Sequence, residues 1–219
     1  MNCCSLVLNR AFDRRRAEKD LKRYYKKGLD KETKVLLDFF RDKIVDLRVL
    51  DIGCGIGNLA IELVKGGASH SLGVDISEAY IEAARDLAKN LGIEGSSEFQ
   101  VMDFVENERK VEKVDVVVSN KVICCYPDME KFISASTSHA KKFYGITYPV
   151  DHSVVRFFTR IRNWFIQFSG RRGFKVYVHS IGEITKCIES QEFRRIFMTR
   201  KGFWVIDVFE RKAEYFETI

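Results

Sequence analysis

The sequence predicts an α/β fold in which helices cover both faces of a mostly parallel β-sheet. Five apolar strand segments alternate with helical segments between residues 48 and 148. These strands are continuously apolar rather than alternating, which is typical of parallel strands buried on both faces. The chain then continues to two further strand segments around Lys201-Gly202. This pattern predicts an antiparallel hairpin that completes the sheet.

Each element can be placed in chain order. Helical spacing of apolar residues predicts two N-terminal helices, over residues 14–26 and 30–43. Short apolar runs predict the parallel strands, over residues 48–52, 71–75, 98–103, 114–120 and 142–148. Further helices are expected at 58–66, from Ser77 to about 91, from Asp128 onward and near 181–190. The closing hairpin is assigned to residues 194–200 and 203–211.

These elements predict one domain over residues 1–219. Its sheet would have seven strands, mostly parallel with an antiparallel last strand. Residues 1–44 would form an N-terminal helical cap. Residues 151–178 would form a helical lid inserted before the final hairpin.

Composition limits the classes of protein that this chain can represent. An apolar content of 46% over 219 residues supports a full core without disulfides. The six cysteines show no C-x-x-C spacing, so we expect reduced thiols and no metal site. The N-terminus lacks the apolar segment of a secretory signal, and no run of 18 apolar residues occurs. We therefore expect a cytoplasmic protein without a transmembrane segment.

The net charge of +6 is unevenly distributed. Residues 10–27 are rich in Lys and Arg, and a second basic cluster extends from Arg156 to Lys175. Solvated helix faces would explain both clusters. The alternative is attraction to an anionic substrate, a membrane surface or a nucleic acid.

The turn in "VLDIGCGIGNLAIELVKGG", residues 49–67, carries the strongest functional signal. Gly53, Gly55 and Gly57 follow a strand and open a helix, as in nucleotide-binding turns. Asp51 ends the strand, where its charge would repel a pyrophosphate. The same carboxylate would attract the ammonium and sulfonium groups of S-adenosylmethionine. The turn therefore favours S-adenosylmethionine over a nicotinamide dinucleotide.

Acidic residues also end the next two predicted strands. Asp75 can accept hydrogen bonds from both ribose hydroxyls of a nucleoside. Asp103 can accept one from an adenine amino group, while the Phe104 ring packs on the base or belongs to the core. Both positions fit an adenosine-containing cofactor.

The ordered set "VLDIGCGIG", "GVDIS", "VMDF" and "DVVVSN" resembles the class I S-adenosylmethionine-dependent methyltransferases over residues 45–148. The resemblance implies a Rossmann-like fold, S-adenosyl-L-methionine as cofactor and S-adenosyl-L-homocysteine as product. It also implies a set of cofactor-binding residues: Asp51, Gly53, Cys54, Gly55, Gly57, Asp75, Ile76, Asp103, Phe104 and Asn120.

Segments outside the cofactor motifs bear on the substrate. "VICCYPDMEKFI", "TYP" (147–149) and "VYVH" (176–179) resemble the branch that contains magnesium-protoporphyrin O-methyltransferase. Those enzymes tend to have a histidine where this chain has Cys125. The (Asn/Asp)-Pro-Pro-(Tyr/Phe) run of amide N-methyltransferases is absent. The resemblance therefore supports a small-molecule methyltransferase better than a porphyrin enzyme. Together with the aromatic insertion and its flanking arginines, it leads us to expect O-methylation of a small, anionic and partly apolar molecule.

Two other functions stay open. The basic N-terminal helix favours an RNA methyltransferase as one alternative. The other is a protein that binds S-adenosylmethionine without catalysis, because a fold does not guarantee a reaction.

Two side chains are candidates for orienting or deprotonating the substrate. Tyr126 follows the strand that would end beside the reacting methyl group. His179 follows the strand-like run "KVYVH", although a structural or surface role would also explain it.

The insertion carries an aromatic stripe at helical spacing over residues 153–172. We expect this helix to pack on the core as a lid. Its alternatives are a wall of the substrate pocket or peripheral contact with a membrane surface.

Overall fold

The structure, a computed structural model, describes residues 3–168 and 173–213, with side chains from residue 7 onward in these ranges. Within them the strands are β1 (Arg48–Ile52), β2 (His70–Asp75), β3 (Ser97–Val101), β4 (Val114–Asn120), β5 (Ala140–Pro149), β6 (Phe193–Lys201) and β7 (Trp204–Arg211). They form one seven-stranded sheet in the order β3-β2-β1-β4-β5-β7-β6. Strands β1 to β5 pair in parallel, and β7 pairs antiparallel with both β5 and β6. The predicted fold class is confirmed.

The helices surround this sheet. They are α1 (Cys3–Ala11), α2 (Arg14–Lys27), α3 (Lys31–Phe40), α4 (Asn58–Lys65), α5 (Glu78–Asn90), α6 (Phe104–Asn107), α7 (Met129–Thr137), α8 (Ser153–Gln167) and α9 (Ile181–Glu189). Short polar side chains begin several of them by accepting a backbone N–H from the first turn. Asp13 begins α2, Asp30 begins α3, and Ser77 begins α5 in this way. Helix α1 lies within the predicted N-terminal helical cap, although no separate helix was assigned before residue 14.

Both faces of the sheet are buried, as the apolar strands predicted. Along β4, Val116 and Val118 pack on one side with Leu36 and Phe40 of α3. Val117 packs on the other side in a separate cluster. Successive side chains of a strand point to opposite faces, so a strand covered on both sides must be apolar throughout.

The sheet order places the point of reversal between β1 and β4. The chain leaves β1 toward β2 on one side and later returns to β4 on the other. Connections after these two strands therefore diverge at the carboxyl edge of the sheet. In open α/β sheets, ligands bind in the crevice that this divergence creates.

The aromatic stripe of α8 does not pack on the core, so this part of the sequence prediction is wrong. Phe157, Trp164 and Phe168 are 59%, 59% and 70% exposed. Periodicity showed that these residues share one helix face, but it could not show which way the face points. The end of the insertion at 169–172 lies outside the described residues, and closure of the insertion as a lid stays a prediction.

Candidate functional site

A cavity of about 520 Å³ opens at the carboxyl edge of β1, β2 and β4. Gly53, Gly55, Asp75 and Ile76 line its inner part. A smaller recess of about 140 Å³ adjoins it, sharing Gly53 and Gly55 and adding Asp51. Cys54 and Asn58 also line the recess. Most of the predicted cofactor residues thus lie around these two adjoining spaces, whereas Gly57 and Asp103 belong to neither described lining.

The glycine turn after β1 is held against the end of β2. The backbone N–H groups of Gly53 and Cys54 both donate to the Val74 carbonyl, at 2.7 and 3.0 Å. Gly53 has a φ of +70°, and a Cβ there would lie 2.4 Å from Val122 Cγ2. Only glycine therefore fits between the turn and the segment that follows β4.

Gly57 is needed for close packing and is not part of the described cavity lining. It begins α4 with a φ of +72°, and a Cβ there would lie 2.5 Å from Phe99 Cε1. Close contact between α4 and the β3 side chain therefore requires glycine. A cofactor contact at Gly57, expected from the resemblance, stays a prediction.

Asp75 holds the glycine turn after β1 next to the start of α5. Its carboxylate accepts the Gly55 N–H and the Ser77 N–H, both at 2.9 Å. Burial raises the pKa of Asp75, and these backbone donors lower it in turn. The side chain lines the cavity and retains lone pairs for further donors such as ribose hydroxyls.

Asp51 is a buried carboxyl beside the glycine turn. It is 1% exposed, and neither of its oxygens has a hydrogen-bond partner among the described residues at normal geometry. Burial, and then the charge of Asp75, raise the pKa of Asp51 to about 7, while the Ala60 backbone acts in the opposite sense. An unpaired buried carboxylate is costly, and a cationic ligand group would relieve that cost.

The remaining adenosine-side residues differ in what they contact. Phe104 is 2% exposed and lines the cavity while its edge packs on His139, with ring centroids 5.3 Å apart. It therefore serves both the core and the cavity wall. Asp103 precedes it and accepts the Asn107 backbone N–H at its carbonyl. Its carboxyl is not part of the described lining of the cavity.

The end of β4 is tied to the N-terminal helices. Asn120 lines both spaces and donates from Nδ2 to Thr33 Oγ1 at 2.8 Å. Lys121 has a φ of +65°, and its ammonium lies 2.9 Å from Asp30 and 3.3 Å from Glu32. The first turn of α3 thus fixes the position of the loop after β4.

Tyr126 and His179, the candidate catalytic residues, occupy different positions. Tyr126 lines the cavity, and its ring packs on Phe132 at 4.8 Å. His179 lies outside the described lining, with Nε2 3.0 Å from the Tyr126 carbonyl oxygen. As a donor to that carbonyl it positions the loop that carries Tyr126. A catalytic role for either residue stays a prediction.

Several cavity residues were missed by the sequence analysis. Tyr80, on the first turn of α5, donates to Asp20 of α2 at 2.6 Å, and both line the two spaces. Arg16 of α2 and Arg162 of α8 also line the larger cavity. Tyr80 could have been found from its position in the first turn of the helix that Ser77 caps. Arg16 and Arg162 belong to the two basic clusters of the sequence. No local pattern marks Asp20 or shows which arginines of the clusters face the cavity, because their placement depends on how distant helices pack.

Comparisons with known proteins agree with this architecture. Residues 44–199 match the family model described as "Methyltransferase domain". Magnesium protoporphyrin IX methyltransferase from Synechocystis PCC 6803 is similar in its structure with bound S-adenosylhomocysteine, with a TM-score of 0.71 and 23% identity over 92% of this chain and 94% of that one. The structure of the same enzyme with bound S-adenosylmethionine has a TM-score of 0.69 and 21% identity, over 97% of this chain and 99% of that one.

Two further relatives differ in how much of their length is matched. An O-methyltransferase family protein from Burkholderia thailandensis has a TM-score of 0.73 and 14% identity, over 93% of this chain and 62% of that one. Ribosomal protein L11 methyltransferase from Caldanaerobacter subterraneus subsp. tengcongensis is 38% identical over 94 residues, 42% of this chain. The match spans only 29% of that relative's length.

The matched family covers most of the chain, and the structural neighbours share its fold. The site lies where this fold places ligands, at the carboxyl edge of the reversed sheet order. The chain therefore belongs to the methyltransferase-domain family, which confirms its identification as a class I S-adenosylmethionine-dependent methyltransferase.

Proposed function

We propose that this chain binds S-adenosylmethionine at the glycine turn and transfers its methyl group to an oxygen atom of a small, anionic and partly apolar molecule. The observation that carries the proposal is the cavity of about 520 Å³, which runs from Asp75 to an apolar wall with arginines. This volume lies in the usual range for small-molecule sites.

The inner residues fit the cofactor. Asp51 offers a buried carboxylate to the α-ammonium group, and Asp75 offers one to the ribose. Ile76 and Phe104 provide apolar wall for the adenine. When bound, S-adenosylmethionine supplies an electrophilic methyl group, and the protein supplies its alignment with the acceptor.

The outer residues suit an apolar anion. Leu8, Phe174 and Trp204 give this part of the cavity an apolar wall. Arg162 also lines it, and among the described residues no carboxylate forms an ion pair with this arginine. A guanidinium beside an apolar wall favours a ligand that combines a carboxylate with an apolar body.

The available bases favour a carboxylate oxygen as acceptor. Burial, and then the charges of Asp103 and Asp75, raise the pKa of Tyr126, so its phenol stays protonated at neutral pH. His179 lies outside the described lining. A carboxylate is already nucleophilic at pH 7, whereas a phenol or amine would need a base. Tyr126 would then orient the acceptor as a hydrogen-bond donor.

Cofactor binding and acceptor screening together test the proposal. Titration calorimetry should show micromolar binding of S-adenosylmethionine and S-adenosylhomocysteine and none of NAD. Labelled methyl groups should then pass to members of a panel of aromatic and aliphatic carboxylic acids, but not to the matched amides. Transfer to RNA instead, with steep salt dependence, would favour the RNA alternative. Cofactor binding without transfer to any acceptor would favour the non-catalytic one.

Replacement of Arg162 by glutamine should raise KM for a carboxylic acid acceptor by about 10–100-fold, the worth of one charge-assisted hydrogen bond. The value of kcat should change little, because the reacting atoms lie elsewhere. Arg160→Gln is the matched control, since Arg160 lies on the same helix and is exposed outside the described cavity lining. Equal effects of the two substitutions would contradict a specific role for Arg162.

Cofactor affinity should depend on pH through Asp51. Burial and the Asp75 charge raise the pKa of Asp51 to about 7 in the free protein. A cationic ligand group favours the ionised carboxylate, so affinity should increase by up to about tenfold per pH unit below pH 7 and level off above it. Without ligand, the stability contributed by the protonated carboxyl is complete below about pH 4 and is lost as the pH rises through 7.

Calorimetry of S-adenosylhomocysteine between pH 5.5 and 8 measures this dependence. Proton release near pH 6.5, read from two buffers with different ionisation heats, should accompany binding. Asp51→Asn should bind more weakly and with a flat pH profile. A wild-type profile that is already flat would contradict the assignment of Asp51.

A further inference from the structure

Helix α8 is amphipathic in the reverse of the usual sense. Its half-buried residues include Thr159, Asn163 and Gln167, which are polar. Val155 and Ile166 are also half-buried, but the other apolar residues of the helix face solvent. Surface helices of globular proteins normally place the apolar stripe against the core and the polar face outward. The reversal indicates that something outside the described residues covers the apolar face.

The polar face is firmly attached to the protein. Asn163 donates from Nδ2 to the Val176 carbonyl at 2.8 Å, and its Oδ1 accepts the Val176 N–H at 2.9 Å. Gln167 donates to the Phe174 carbonyl at 3.2 Å and accepts the Gly173 N–H at 3.3 Å. These paired amide contacts fix the rotation of the helix, so the orientation of the stripe is built into the fold.

The exposed face is large and almost entirely apolar. At 100° per residue its members fall within about one third of the helix circumference. They share exposures between 37% and 70%: Val154, Phe157, Phe158, Ile161, Trp164, Phe165 and Phe168. The rings of Trp164 and Phe165 contact each other edge to face at 4.9 Å. We name this surface the aromatic face.

Arginines border the aromatic face on both sides. Arg160 and Arg162 lie on opposite edges of the stripe by helical spacing. The helix contains no Asp or Glu, and Arg156 pairs with Asp151 just before its start. The face therefore has the chemistry of an interfacial helix, with aromatic rings on one side and cations at the level of anionic headgroups.

We propose that α8 docks this protein on the surface of an anionic lipid bilayer. The helix lies in the plane of the interface, with its aromatic face buried at the headgroup boundary and Arg160 against lipid phosphates. Among the described residues no helix is long and apolar enough to cross a bilayer. The proposal does not depend on methyl transfer.

A second copy of the chain is a poorer occupant. One face of a helix with 15 residues covers on the order of 300 Å². Stable protein interfaces bury about 800 Å² on each partner. Pairing two aromatic faces would also bring the flanking arginines of both copies together without acidic residues of α8 to balance them.

Vesicle flotation tests the proposal directly. The wild type should bind vesicles of phosphatidylcholine with phosphatidylglycerol much more tightly than vesicles of phosphatidylcholine alone. Trp164 emission should shift to the blue on binding, as the indole leaves water. Loss of two rings in Phe157→Ser/Trp164→Ser should weaken flotation at least about tenfold.

A matched control separates docking from folding. Val45→Ser removes a side chain that is 58% exposed just before β1, at the edge of the sheet opposite the cavity. This variant should float like the wild type, and all variants should keep the wild-type melting temperature. No binding to either vesicle type would overturn the proposal. So would equal binding to both, or a dimer in solution that Phe157→Ser/Trp164→Ser dissociates.

Discussion

Asp75→Asn should weaken binding of S-adenosylmethionine and S-adenosylhomocysteine by about 100-fold. Each charge-assisted hydrogen bond to a ribose hydroxyl contributes about 1.5–3 kcal/mol. The two Asp75 oxygens accept the Gly55 and Ser77 N–H groups in the free protein. Asparagine would direct an NH₂ group at one of these donors, so the rim of the glycine turn would also shift.

Titration calorimetry of both ligands measures this loss. Asp86→Asn is the matched control. Asp86 lies on the exposed face of α5, the helix that follows Asp75 in the chain. It should bind both ligands like the wild type. Unchanged affinity in Asp75→Asn, with the melting temperature retained, would show that the ribose binds elsewhere.

Gly57→Ala should destabilise the protein by about 2–5 kcal/mol. A left-handed backbone costs an alanine about 1–2 kcal/mol, and overpacking adds about 1–3 kcal/mol. Both costs apply here, since φ is +72° and the new Cβ would lie 2.5 Å from the Phe99 ring. For a chain of this size the melting temperature should fall by about 5–15 °C.

Gly202→Ala separates the two costs. Gly202, in the turn between β6 and β7, has a φ of +57°, and a Cβ there would have no described atom within 4 Å. Its substitution should therefore cost only the backbone part, about 1–2 kcal/mol. Calorimetric melting of both variants gives the comparison. Equal losses would mean that the contact between α4 and β3 relaxes without cost.

The strands could be predicted from sequence because burial on both faces of the sheet requires a local run of apolar residues. Residues Val116 to Val118 of β4 pack on alternate sides of the sheet and are all apolar, so this run could be assigned without knowledge of its partners. Helix α1 has no comparable sequence pattern. Its first turn carries no acidic residue that would mark the start of a helix.

Site residues could be predicted from sequence where they lie at the end of a strand. Asp51, Gly53 and Asp75 lie at strand ends, and parallel strands bring their carboxyl ends to one edge of the sheet. Contacts between distant segments were not predictable. The hydrogen bond from Tyr80 to Asp20 joins residues 60 positions apart, and its formation depends on how α2 packs on α5.

The position of β7 between β5 and β6 has a consequence for synthesis of the chain. During translation β5 and β6 both emerge before β7, yet they do not pair with each other. Until β7 arrives, β5 is an open edge and β6 has no partner, so both expose unpaired backbone groups. The sheet can therefore be completed only after β7 has left the ribosome, and both strands stay open to wrong pairing until then.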